Sequence, residues 1–333
     1  MIDFNNIKPK ENVVNDPTLM IIVGPVKSGK SSICNNLSAN HNWLILDTQI
    51  VPGYNNSKGA KVLRLVGLEP PMDTVAIDRY KNIKSAIETE MLNPVKDLKK
   101  LKLYNEELKK TRYWETYSRR TNLKADECYL SDIFEYYNKT DDKGKFINEC
   151  KYDGVIVDLF SIIDQDEAWS EYSAARKWCS NFPDFILDKT RISILDLPGI
   201  SGSRGWEYLR NEIKEVIAEL IRIFGRVILI AHLKDKFTLE QDKTAQLNEK
   251  QIDLRGKTAS IILSEADACG FMTRKDNKGV LSFTAKRATI DSRCGHLFNK
   301  DIEISQRSED GSITTNWEKV FTYLNKQKKN ENN

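Results

Sequence analysis

This 333-residue sequence predicts an α/β fold with a mostly parallel central sheet flanked by helices. Three observations carry that expectation. A short apolar run, residues 19–23, leads straight into a glycine-rich loop, Gly24-Pro25-Val26-Lys27-Ser28-Gly29-Lys30-Ser31. Three further short apolar runs each end in a polar residue, which suits buried parallel strands whose C-terminal ends share one edge. A long segment between the last two of these runs carries apolar residues at helical spacing, as alternating strand and helix require.

The first strand is Leu19 to Val23, and the loop after it fits G-x-x-x-x-G-K-[ST]. Glycines let the backbone wrap a phosphate with its N–H groups, and the next helix aims its N-terminus at the same charge. The expected nucleotide contacts are Gly24, Pro25, Val26, Lys27, Ser28, Gly29, Lys30, Ser31 and Ser32. Lys30 would reach the β- and γ-phosphates, and the Ser31 hydroxyl would hold Mg²⁺. The second strand, Trp43 to Leu46, brings Asp47 and Gln49 to the edge where ligands of open α/β sheets bind. An ordinary polar turn is the alternative there.

The third strand, Val155 to Val157, ends in Asp158, placed to hold Mg²⁺ or its water. A helix-capping aspartate is the bland alternative. The fourth, Val227 to Ala231, delivers His232, which could sense the γ-phosphate or serve only structure. Between them lies "RISILDLPGI", residues 191–200, a β-type run ending in an Asp-x-x-Gly that resembles a GTPase signature. The guanine-reading motif such a protein needs is missing. "AHLKDK" does not fit it, and "TRKDNKG" at 273–279 is read as lacking a preceding apolar strand. "DLPG" is therefore read as a turn leading into a helix, where Leu209, Ile213, Val216, Ile217 and Leu220 keep helical spacing.

Composition narrows the classes. Net charge is +3, too small alone to argue a polyanion partner. Six scattered cysteines and three histidines offer neither a C-x-x-C pair nor a histidine-rich metal site, and fit a reducing compartment. No run of about 18 apolar residues appears, so no membrane association is expected and the expected location is cytoplasmic.

Taken in order, "GPVKSGKSS", "LILDT", "VIVD", "GWEYLR", "VILIAHLKDK", "LRGKTASIILSEADACGFMTRK" and "LSFTAKRATIDSRCGH" resemble the phage RecA-like core ATPases. These are a group of phage nucleotide-binding, AAA-family ATPases linked to single-strand annealing and recombination. The resemblance covers residues 18–69 and about 151–305. It implies a RecA-like P-loop NTPase fold, ATP and Mg²⁺ as cofactors, single-stranded DNA as partner, and assembly into a ring or filament. For a phage protein the location would be the host cytoplasm.

One position departs from the pattern. Gln49 stands where a glutamate usually polarises the attacking water; an amide can orient water but cannot take its proton. Asp47 could substitute, or turnover is slow. Ring or filament assembly would let a neighbour's cation reach the γ-phosphate, and Lys286, Arg287 and Arg293 are the trans-acting candidates.

The expected layout is a polar segment 1–17, an ATPase core 18–305 with a helical insertion at about 72–150, and a C-terminal segment 306–333 with a disordered tail. In the insertion, residues 81–125 are mostly helix-forming, with Pro94 as a break. Within 96–124, ten Lys and Arg face four acids, with Tyr104, Tyr113, Trp114 and Tyr117 interleaved. Cations for phosphates and aromatics for bases suit single-stranded nucleic acid. The bland reading packs Leu98, Leu101, Tyr104 and Leu108 on the core and leaves the lysines solvated. Two further function classes stay open: a nucleotide-gated assembly module with little turnover, and a GTPase or P-loop kinase.

Overall fold

The computed structural model describes residues 16–49, 54, 58–68, 74–93, 97–110, 123–160, 163, 169–180, 194–196, 202–239, 245–254, 257–284 and 290–325. Strand β1 is Leu19–Val23, with all five residues apolar and buried. Helix α1, Lys30–Asn40, follows the glycine-rich loop. Then come β2 (Trp43–Asp47) and β3 (Lys61–Gly67). The helices α2 (Thr74–Leu92) and α3 (Leu98–Lys110) precede β4 (Glu127–Tyr129) and α4 (Leu130–Asn138). Strand β5 is Gly154–Asp158, followed by α5 (Trp169–Ser180), a 3₁₀ turn at Ile194–Asp196, and α6 (Gly202–Phe224).

The second half begins with β6 (Val227–Ala231), then β7 (Leu233–Leu239) and β8 (Ala245–Ile252). After α7 (Thr258–Glu265) come β9 (Ala268–Lys275), β10 (Lys278–Ser282), β11 (Asp291–Ser292), β12 (Asp301–Arg307) and β13 (Ile313–Thr315).

Eleven strands form one sheet in the order β13-β12-β10-β9-β1-β6-β5-β2-β3-β4, with β11 on the side of β9. From β9 to β4 every pairing is parallel; β10 to β13 add antiparallel strands at one side. Strands β1, β5 and β6 read as continuous apolar runs because both faces of the sheet are covered there. Helix α6 covers one face with Leu209, Ile213, Val216, Ile217 and Leu220, all buried as their 3.6-residue spacing requires.

Several elements differ from the expectation. The run before Asp196 is not a strand at its described end: residues 194–196 form a 3₁₀ turn, and Ile194 is fully buried. Leu195 packs against Gly205 of α6, so this turn is tied to the helix face rather than to the sheet edge. Residues 197–200 lie outside the described residues. "TRKDNKG" does follow a strand. Thr273–Lys275 end β9, and Asp276, with φ 54°, opens the hairpin to β10. The alternating polarity of "GFMTRK" hid that strand, because β9 is apolar only in its first half.

The stretch 72–150 is not wholly helical: β4 joins the main sheet beside β3. Pro94 lies outside the described residues, between α2 and α3, which pack on each other. Leu98 is 75% exposed, so it does not pack on the core as the bland reading had it. Residues past 305 contribute to the core: Trp317, Val320, Phe321 and Leu324 are fully buried. The Trp317 indole donates to Ile33 O of α1 at 3.0 Å, and Phe321 packs on Trp43 at 5.1 Å. No helix among the described residues is long and apolar enough to cross a membrane.

Candidate functional site

The strand order decides what meets at the sheet edge. Strands β1, β6, β5 and β2 run parallel and side by side, so the loop after β1, His232 after β6, Asp158 ending β5 and Gln49 after β2 emerge at the same edge. They line one cavity with a volume of about 390 Å³. Its walls are Val26–Ser32, Gln49, Asp158, Leu159, His232 and Arg274. Four residues from separate stretches of the sequence are thereby brought together with the glycine-rich loop.

The loop is shaped for close approach. A Cβ on Gly24 would sit 2.4 Å from the carbonyl oxygen of Met272, which is backbone and cannot yield, so only glycine fits. Gly29 has φ 98° and caps α1, leaving the first N–H groups of the helix directed out of its N-terminus. Lys30 is buried, and its ammonium donates to Gly24 O at 2.8 Å and Pro25 O at 2.9 Å. Burial lowers its pKa, and the charge of Asp158 works against that shift. The Ser28 hydroxyl is buried without a hydrogen-bond partner. A buried cation and an orphaned hydroxyl behind free helix N–H groups match the phosphates of a nucleotide in charge and in donors.

Asp158 is 1% exposed and accepts a hydrogen bond from the Tyr54 hydroxyl at 2.5 Å. The Ser31 hydroxyl stands near the same phenol and favours its ionised form. The Ser31 hydroxyl and the Asp158 carboxylate line the same cavity. Both are hard oxygen donors of the kind Mg²⁺ prefers, and they converge on one small centre. Burial, reinforced by the charge of Asp158, pushes the Tyr54 phenol well above its ordinary pKa, so it stays protonated and donates. Tyr54 was missed in the sequence because it lies outside any strand or motif, in "VPGYNN".

Thr48 was also missed. Its hydroxyl donates to Leu159 O at 2.7 Å and accepts from Leu159 N–H at 2.7 Å, while its own N–H donates to Asp158 O at 2.8 Å. It staples the end of β2 to the end of β5 and so fixes the backbone that carries Asp158. Asp47, in register with Asp158, accepts the N–H of Gln49 at 3.0 Å; Gln49 lines the cavity and Asp47 does not.

Arg293 lies elsewhere. Its N–H donates to Asp267 O, and its guanidinium donates to Ser264 O, at the N-terminal edge of the sheet. Lys286 and Arg287 lie outside the described residues. The remaining addition is Arg274 of β9, whose Nη2 would be 3.9 Å from a Cβ on Gly29. Among the described residues no cluster of three or more His, Cys, Asp or Glu could hold a metal, and Cys34, Cys128, Cys150, Cys269 and Cys294 are free.

Fold and site together define an α/β protein consistent with a P-loop NTPase. Residues 188–301, about a third of the chain, match a family model described as an AAA domain, which suggests an AAA-type P-loop ATPase. The match takes in His232, Arg274 and Arg293; the glycine-rich loop and Asp158 lie before it. No curated protein matches the chain.

Proposed function

We propose that this chain is a RecA-like, Mg²⁺-dependent ATPase that works on single-stranded DNA, in recombination or annealing of the phage type. The observation that carries the nucleotide part is the single cavity joining the glycine-rich loop to Asp158, Gln49 and His232. Lys30, the helix N–H groups and Ser28 would hold the phosphates; Ser31 and Asp158 would hold Mg²⁺, which neutralises charge on the phosphates when bound. Gln49 orients the attacking water, and His232, between β1 and β5, reads the terminal phosphate.

The DNA part rests on the basic, aromatic stretch 96–124 and on the ribbon β7–β8, which starts directly after His232. In α3, Lys99 and Lys102 are exposed, whereas Lys100 is bound to Glu90 at 3.0 Å. Gln49 favours a second reading, a nucleotide-gated assembly with little turnover.

The test is turnover of ATP against GTP, with and without single-stranded DNA, beside nucleotide binding. Lys30→Ala should lose nucleotide binding while keeping its fold. ATP affinity and rate undiminished in that variant would overturn the assignment. Binding without turnover would select the second reading.

A further inference from the structure

The candidate metal position and Arg274 lie on opposite flanks of the glycine-rich loop. Asp158 ends β5, two strands from β1 on one side; β9 adjoins β1 on the other. At about 4.8 Å per strand, this sets Asp158 roughly 10 Å to one side and Arg274 roughly 5 Å to the other. A nucleotide whose β- and γ-phosphates lie with Lys30, Ser31 and Asp158 must therefore run toward β9 at its nucleoside end.

The register then fixes which side chains wait there. Val23 pairs with Phe271, so Met272 sits beside Gly24. Met272 and Arg274 are two residues apart on a strand and share a face, and both reach Gly29, at 3.7 Å and 3.9 Å from its Cβ position. The guanidinium makes no hydrogen bond or ion pair to any described residue, and it lines the cavity that also holds the orphaned, buried Ser28 hydroxyl. Its contact is with the loop itself rather than beyond it, which places it at phosphate distance and not at the distance of a base.

From this we infer that Arg274 binds the α-phosphate of the nucleotide, as a cation supplied by the same chain. The inference rests on the nucleotide reading above and adds a subsite to it. An arginine offers paired donors to phosphate oxygens, a contact a lysine reproduces only as a point charge. Because ATP and ADP share the α-phosphate, the loss of Arg274 should weaken both by the same factor.

The experiment is equilibrium binding of ATP and of ADP, with Mg²⁺, to the full chain and to Arg274→Ala, Arg274→Lys and Lys275→Ala. Lys275 is exposed, points to the other face of β9 and lies outside the cavity. Arg274→Ala should lose about tenfold or more in affinity for both nucleotides, the scale of a hydrogen bond to a charged group. Arg274→Lys should recover part of it, and Lys275→Ala should bind within twofold of the parent. Circular dichroism and the thermal midpoint check that each variant is folded. Equal binding by Arg274→Ala and the parent overturns the inference while leaving the nucleotide site standing. A loss for ATP but not ADP overturns it too, since that places Arg274 at the γ end. A parent chain that binds neither nucleotide fails the functional reading itself.

Discussion

Tyr54→Phe removes one oxygen and leaves the ring. That oxygen donates to the buried Asp158, a candidate metal ligand, and stands near the Ser31 hydroxyl, a second one. Its loss leaves a carboxylate that is 1% exposed short of a donor, a cost of about 1.5–3 kcal/mol for a hydrogen bond to a charged group. Mg²⁺, which Ser31 and Asp158 would hold, would satisfy the carboxylate in place of the phenol, so the nucleotide-bound protein would bear little of that cost. The difference appears as tighter binding. At 1.4 kcal/mol per decade, Tyr54→Phe should bind Mg-ATP about tenfold more tightly or better. The assay is equilibrium binding of ATP with Mg²⁺ and with EDTA, beside thermal unfolding in both states. The variant should melt a few degrees lower without ligand and should gain more than the parent on adding Mg-ATP. With EDTA the gain should vanish. Unchanged or weaker Mg-ATP binding would refute the reasoning and make the Tyr54 hydroxyl part of the loaded site.

Asp158→Ala should lower Mg-nucleotide affinity or halt turnover, whereas Asp196→Ala, in a 3₁₀ turn packed beside α6, should leave it near the parent; a GTP preference abolished by Asp196→Ala would reverse that. Gln49→Glu should raise the ATP turnover rate, because a carboxylate can take the proton of the attacking water; an unchanged rate with intact binding would point to another base. Single-stranded DNA affinity should fall with salt at a slope near −0.7 per phosphate neutralised, and Lys99→Glu with Lys102→Glu should reduce both affinity and slope. No binding at low salt would remove the DNA reading.

The parts of the site that were legible in the sequence share a property: each is a local pattern. A glycine loop after an apolar strand, or an aspartate closing "VIVD", announces itself within a few residues. The parts that were not legible depend on pairing. Arg274 matters only because β9 lies beside β1, and nothing in "FMTRKD" states which strand it adjoins. Tyr54 is brought to Asp158 across 104 residues, and Thr48 to Leu159 across 111. The same holds for the fold. Four apolar strands were readable, but β3, β4 and the antiparallel side are half-polar and gain their places from neighbours. Trp317 and Phe321 lie in a stretch whose sequence is mostly polar, and they enter the core through contacts with α1 and Trp43.

The distribution of charge around the cavity bears on the trans arrangement proposed from Lys286, Arg287 and Arg293. Among the described residues lining it, the cations are Lys27, Lys30 and Arg274. Lys30 serves the loop centrally, and Arg274 lies on the β9 flank. The other flank, where charge would develop on the transferred phosphoryl group, has Gln49, Asp158, Leu159 and His232. That flank lacks a fixed cation among the described residues, and a cation there would stabilise the transition state more than the ground state. Arg293 cannot supply it within its own chain: it stands level with Leu19, and five residues of strand place it roughly 17 Å from Gly24. It is exposed at the N-terminal edge of the sheet, while the cavity opens at the C-terminal edge. If subunits stack head to tail, those two edges meet. Arg293 of one subunit would then face the cation-poor flank of the next; turnover should rise with protein concentration, and concentration-independent turnover by a monomer would rule the arrangement out.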